Sequence, residues 1–138
     1  MLLMPKRVKY RKTQKGKSRG LATTGDRMHF GEFGLKAIAN GFIPARQLEA
    51  SRVVVARKLR GSGKLWINAF PHKSITKKPA ETRMGKGKGD LDHWVAVVKR
   101  GKIVFELGGV PEEFAKQILR LVAFKLSVRT RFVIRGSV

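Results

Sequence analysis

Arg83, Lys86 and Lys88 are interleaved with Gly85, Gly87 and Gly89 in the segment Arg83-Met84-Gly85-Lys86-Gly87-Lys88-Gly89. Glycine has no Cβ, so this backbone can approach a partner closely and adopt positive φ. Arginine offers a planar fork of donors and lysine a compact charge. The chemistry these residues can do is recognition of polyphosphate, not bond making. No acid follows until Asp90, and Met84 is the sole apolar side chain. The segment therefore has little to fold around except a polyanion.

A second basic tract opens the chain. Lys6, Arg7, Lys9, Arg11, Lys12, Lys15, Lys17 and Arg19 all precede the first acid, Asp26, with Tyr10 as the lone aromatic. Gly16, Gly20 and Gly25 argue against a long helix here. Residues 1–27 read as a basic arm. A run of cations without acids favours a nucleic-acid arm over a merely solubilising tail.

The whole chain repeats this bias: 31 Lys and Arg stand against 9 Asp and Glu in 138 residues, a net charge of +22. Such self-repulsion destabilises a compact free monomer, and a polyanion relieves it. Nucleic acid is the first candidate and an anionic membrane surface the second. Other chemistry is poorly supplied. There are no cysteines, which removes disulfides, thiolate nucleophiles and zinc–thiolate sites. His29, His72 and His93 lack metal-ligand spacing. Gly61-Ser62-Gly63-Lys64 fails as a phosphate loop, because Leu65 stands where Ser or Thr is required. The expectation is no enzyme, no cofactor, no metal and no small-molecule substrate. No apolar run approaches the roughly 20 residues of a membrane span. The opening Met-Leu-Leu-Met-Pro has no signal-peptide apolar region, so neither a membrane nor secretion is expected.

These cations need a scaffold. From Met28 onward, Phe30, Phe33, Leu35, Ala37 and Ile38 predict short strands broken by Gly31 and Gly34. Pro44 opens a helix of about 17 residues that ends at Gly61. On it Leu48, Val55 and Leu59 share one face; Arg46, Arg57 and Arg60 share the opposite one, and Arg52 flanks the apolar stripe. The cationic face reads as an RNA contact. Leu65–Phe70 reads as a buried strand stopped by Pro71, and residues 72–92, with Lys77 and Lys78 among their cations, as a long basic loop. Trp94–Val98 and Ile103–Leu107 flank Lys99-Arg100-Gly101-Lys102 and predict a hairpin. Pro111 with Glu112 and Glu113 starts a second helix, whose stripe is Phe114, Ile118, Leu121 and Val122; Phe124 falls on its polar side. Val128, Thr130, Phe132 and Ile134 alternate with Arg129, Arg131, Val133 and Arg135, a strand with one basic face. The expected fold is α+β: a mostly antiparallel sheet with two helices packed on one side. Residues 28–138 form one domain containing the basic loop.

Pro5-Lys6-Arg7-Val8-Lys9-Tyr10-Arg11-Lys12, Phe30-Gly31-Glu32-Phe33-Gly34-Leu35, Ala45-Arg46-Gln47-Leu48-Glu49-Ala50, Gly63-Lys64-Leu65-Trp66-Ile67, Lys77-Lys78-Pro79-Ala80-Glu81-Thr82-Arg83 running into Met84–Gly89, and Val128-Arg129-Thr130-Arg131-Phe132-Val133 occur in that order. Together they resemble the L16 (uL16) family of bacterial large-subunit ribosomal proteins over nearly the whole chain. The most specific signature is Arg-Met-Gly-x-Gly-Lys-Gly at Arg83–Gly89. The resemblance implies binding to large-subunit rRNA near the aminoacyl-tRNA site and the peptidyl transferase centre. It further implies help in tRNA positioning, late entry into subunit assembly and neighbouring ribosomal proteins as partners. The location would be a cytoplasmic ribosome, and an organelle ribosome fits equally. The chain departs from the family pattern at His72 and Ser74, where Asp and Pro are common, and at Asn68, where a basic residue is frequent. Those changes bear on local loop conformation and on one RNA contact.

Two other function classes compete. A nonspecific nucleic-acid coat needs only charge, whereas this pattern presents particular basic faces on a core. A membrane-active cationic protein needs a broad apolar helix face opposite its cations, and the first helix has only a thin stripe.

Overall fold

The computed structural model describes residues 4–136. The first three residues of the expected arm and the last two of the expected domain lie outside that range. The α+β expectation holds: among the described residues seven strands and two helices occur in the order β1 (Phe33–Ala37), β2 (Gly41–Pro44), α1 (Ala45–Leu59), β3 (Lys64–Ile67), β4 (Lys73–Lys77), β5 (Asp90–Val98), β6 (Ile103–Gly108), α2 (Glu112–Lys125) and β7 (Thr130–Ile134). The strands divide between two antiparallel sheets, ordered β3-β6-β1-β7 and β2-β5-β4.

Proline begins both helices. Pro44 and Pro111 occupy the capping positions with φ of −62° and −63°, where the missing N–H costs no helix bond. The helix ends also suit the dipole: Glu112 and Glu113 sit in the first turn of α2, and Arg57 and Lys58 in the last turn of α1. On α1 the buried residues are Leu48, Ser51, Val55 and Leu59; Ser51 satisfies its hydroxyl on the Gln47 carbonyl at 2.8 Å. On α2 they are Ala115, Ile118, Leu119 and Val122. Leu119 therefore replaces the expected Leu121. At 100° per residue, Leu121 lies roughly 110° from the centre of that stripe, which puts it on the wet side with Phe124.

One core joins these faces. Phe33, Leu35, Ala37, Phe105 and Leu107 of the four-stranded sheet meet Leu48 and Val55 of α1 and Ile118, Leu119 and Val122 of α2. Each fully buried Leu, Ile or Phe contributes about 1.5–3 kcal/mol of transfer free energy. Ile43, Ala96 and Val98 extend the core into the second sheet. β1 runs through Gly34, because a Cβ there would sit 2.8 Å from Met28 Sδ and 2.9 Å from the Phe105 carbonyl oxygen.

Three local expectations differ from the structure. The turn between β5 and β6 forms, with Lys102 N–H donating to the Lys99 carbonyl at 3.1 Å, but the two strands enter different sheets. The reason is Ala37: its N–H donates to the Lys102 carbonyl and its carbonyl accepts from Gly101, both at 2.7 Å, so β1 captures the turn. The strand expected over Leu65–Phe70 ends at Ile67; Ala69 stays buried while Phe70 is exposed. The loop expected over 72–92 is shorter, because β4 and the start of β5 pair from Lys73↔Val95 to Lys77↔Asp90. β2 covers β5 only from Val95 to Val98. The half from Asp90 to Trp94 is thus a two-stranded ribbon with the basic loop at its tip.

Candidate nucleic-acid interface

The loop left between β4 and β5 spans residues 78–89. Its backbone takes positive φ at Gly85 (102°), Lys86 (61°) and Gly87 (86°). Residues 81–88 are all exposed, Met84 at 95%. Lys78 donates from Nζ to the Gly85 carbonyl at 2.7 Å, which folds the tip back on its stem. Lys77, Arg83, Lys86 and Lys88 are exposed, and Gly89 closes against the Lys77 backbone, where a Cβ would meet carbonyl carbon at 2.9 Å.

The arm reaches this loop. Lys12 Nζ donates to the Lys88 carbonyl at 3.5 Å, and Lys88 Nζ donates in return to the Thr13 carbonyl. Lys9, Tyr10, Arg11 and Lys12 line a shallow hollow with Asp90, the first residue after the loop. Lys9 Nζ lies 5.6 Å from the Tyr10 ring centroid. Lys6, Arg7, Lys15, Lys17 and Arg19 are exposed as well. From Ser18 onward the chain follows the body: Ser18 Oγ donates to the Val98 carbonyl at 2.7 Å and Ala22 N–H to the Arg100 carbonyl at 2.9 Å.

The remaining sequence-predicted cations lie elsewhere. Arg46, Arg57 and Arg60 are exposed on the side of α1 opposite Leu48, Val55 and Leu59, with Arg60 in the left-handed conformation just past the helix end. Arg52 is used internally. Its guanidinium bonds Glu49 at 3.0 and 2.5 Å, which holds the Glu49 carboxyl below its ordinary value and raises Arg52. Arg129 and Arg131 are exposed at β7, an edge strand. Arg131 pairs with Lys36, and both point away from the helices because Phe132 and Leu35 point toward them. Sequence reasoning missed Lys36 and Arg100, which line a groove with Leu21, Ile38 and Arg131. The alternation of Lys36 with buried Leu35 and Ala37 carried that signal; the position of Arg100 depends on the turn captured by β1.

Ion pairs among the described residues are Arg52–Glu49 and His93–Asp92. The cations of the arm, the loop and the α1 face therefore have no carboxylate partner, a state that favours an external polyanion. Among the described residues no three His, Cys, Asp or Glu side chains could together hold a metal ion, and no helix is long and apolar enough to cross a membrane.

Residues 5–133 match the family described as Ribosomal protein L16p/L10e. The chain belongs to the L16p/L10e family of ribosomal proteins. It is similar to the large ribosomal subunit protein uL16 of Leptospira biflexa serovar Patoc, 55% identical over 135 residues, with 98% of each chain covered. It is likewise similar to the large ribosomal subunit protein uL16 of Christiangramia forsetii, 54% identical over 133 residues, with 96% of each covered.

Within this L16p/L10e chain, Asn68 has an internal role. Its Nδ2 donates to Oε2 of the fully buried Glu106 at 2.8 Å, while Oε1 of the same carboxyl accepts from the N–H groups of His29 at 2.8 Å and Phe30 at 3.2 Å. Glu106 thus ties the chain that leaves the arm to the outer face of the four-stranded sheet. His72 bonds the Phe70 carbonyl through Nδ1 at 3.2 Å, and Ser74 is buried in β4.

Proposed function

We propose that this chain is a structural component of the large ribosomal subunit that binds large-subunit rRNA. We place it near the aminoacyl-tRNA site and the peptidyl transferase centre, where it aids tRNA positioning and late subunit assembly. Its partners are then large-subunit rRNA, aminoacyl-site tRNA and neighbouring ribosomal proteins, in a cytoplasmic or organelle ribosome. It has no reaction of its own and engages no membrane. Membership in a ribosomal protein family supports this reading, as does the name of the two similar proteins. The observation that carries it is the meeting of arm and loop through Lys12 and Lys88, two cations held together with no anion between them. A phosphodiester backbone running through that junction would supply the missing charge, and counterion release would drive its binding.

Sedimentation of a lysate at moderate salt, followed by crosslinking, tests the reading. The chain should travel with large subunits, and crosslinks from Lys12, Lys86 and Lys88 should fall within one rRNA region. Recovery at the top of the gradient, or crosslinks scattered over unrelated RNAs, would leave only a nonspecific coat.

A further inference from the structure

The outer face of the four-stranded sheet carries an aromatic pair that the basic arm and loop do not involve. Phe30 and Trp66 stack with centroids 6.0 Å apart and an interplanar angle of 16°. Phe30 remains 58% exposed although it packs on another ring. Lys64 Nζ lies 5.4 Å from the Trp66 ring centroid. An exposed ring stacked on a second ring beside a cation, on a chain of net charge +22, presents a face to a flat anionic ligand.

The pair is held firmly. Trp66 lies on β3 over Gly108, where an added Cβ would come within 3.2 Å of the indole ring and crowd it. Phe30 is fixed through its own N–H, which with that of His29 bonds Glu106. Glu106 pairs in register with Trp66 across β6 and β3, so the segment that its carboxyl holds lies beside the indole's strand.

We propose that the Phe30–Trp66 pair is a stacking platform for one unpaired nucleobase, with Lys64 facing the adjoining phosphate. Sequence-tolerant base stacking on aromatic rings beside cations is how proteins hold single-stranded nucleic acid. Nearly parallel rings, with a cation over one of them and the Phe30 ring exposed, suit a base better than an aliphatic protein surface. The proposal rests on the RNA-binding reading and adds a base contact to its phosphate contacts.

The test compares two probes with the full chain at one salt concentration: a short single-stranded RNA, and an abasic oligomer of equal length and charge. The intact chain should bind the RNA on the order of tenfold more tightly. Phe30→Ala should abolish that preference while leaving abasic affinity unchanged, and Phe30→Tyr should retain it. Tyr10→Ala, at an exposed aromatic of the arm, should also retain it. In NMR the Trp66 indole N–H should shift on RNA addition while that of buried Trp94 stays put. Equal affinity for both oligomers, or full preference in Phe30→Ala, overturns the platform and leaves phosphate binding standing. Failure of both oligomers to bind overturns the RNA-binding reading and the platform with it.

Discussion

Replacing Glu106 with Ala should destabilise the fold by about 3 kcal/mol. The carboxyl accepts three hydrogen bonds, from His29 N–H, Phe30 N–H and Asn68 Nδ2, and each contributes about 1 kcal/mol net. For a domain between the small and medium size classes, that loss lowers the melting temperature by roughly 10 °C. Glu106→Gln is the informative companion. Its remaining carbonyl oxygen can still accept from both backbone amides, and Asn68 need only turn its amide over to accept from the new NH2 group. The Gln variant should therefore stay within about 1 kcal/mol of the parent. Urea denaturation followed by circular dichroism reads both, and amide exchange at His29 and Phe30 reports whether the segment has detached. A Glu106→Ala protein within about 0.5 kcal/mol of the parent, with those amides still protected, would refute the reasoning. Water or a neighbouring group would then be satisfying the same donors.

Deleting residues 1–17, which spares the Ser18 bond to Val98, should flatten a log–log salt dependence of RNA affinity from a slope on the order of −5, at about 0.7–0.9 per phosphate. An unchanged slope would remove the arm from the interface. Replacing Arg46, Arg57 and Arg60 with Gln should change stability by within about 0.5 kcal/mol per site yet weaken rRNA binding, measured by urea denaturation and filter binding. Backbone relaxation should find amides from Thr82 to Lys88 with order parameters below about 0.6 in the free protein and ordered in the particle; Gly87→Val, at φ 86°, should spare the fold but impair subunit maturation. Glu49 is held below its ordinary value by the Arg52 hydrogen bond, so its contribution is full above that ordinary value and is lost as pH falls through the lowered one. Glu49→Gln should accordingly flatten the fall in stability as pH drops below the ordinary carboxylate value, read by urea denaturation at a series of pH values.

The sequence was most legible where chemistry is local. Pro44 and Pro111 mark both helix starts because a fixed φ and a missing N–H act within one turn. The α1 faces follow from spacing alone, and so does the exposure of Arg131 between half-buried Thr130 and Phe132; the expected alternation along β7 lapses at its end, where Val133 is half-buried and Ile134 exposed. What was hidden depends on distant partners. The β5–β6 turn looks like a hairpin from its residues, and only the bonds of Ala37 to Gly101 and Lys102 send its strands apart. Glu106 reads as an ordinary strand residue until Asn68 and the His29–Phe30 backbone converge on it. The exposure of the arm and loop cations agrees with the composition, but the contact of Lys12 with Lys88 spans 76 residues and has no local signature.

The ribbon formed by β4 and the first half of β5 has a mechanical consequence. Two strands without a third are compliant and marginally stable alone, whereas β5 from Val95 onward is clamped by β2 and the core. At about 3.4 Å per residue, the unclamped half holds its tip roughly 15 Å from the clamp. A load on the tip therefore bends the ribbon about Val95 before it disturbs the four-stranded sheet. The body can keep its shape while the loop yields, and the stiffness of that cantilever is set by Lys73–Lys77 rather than by the loop itself.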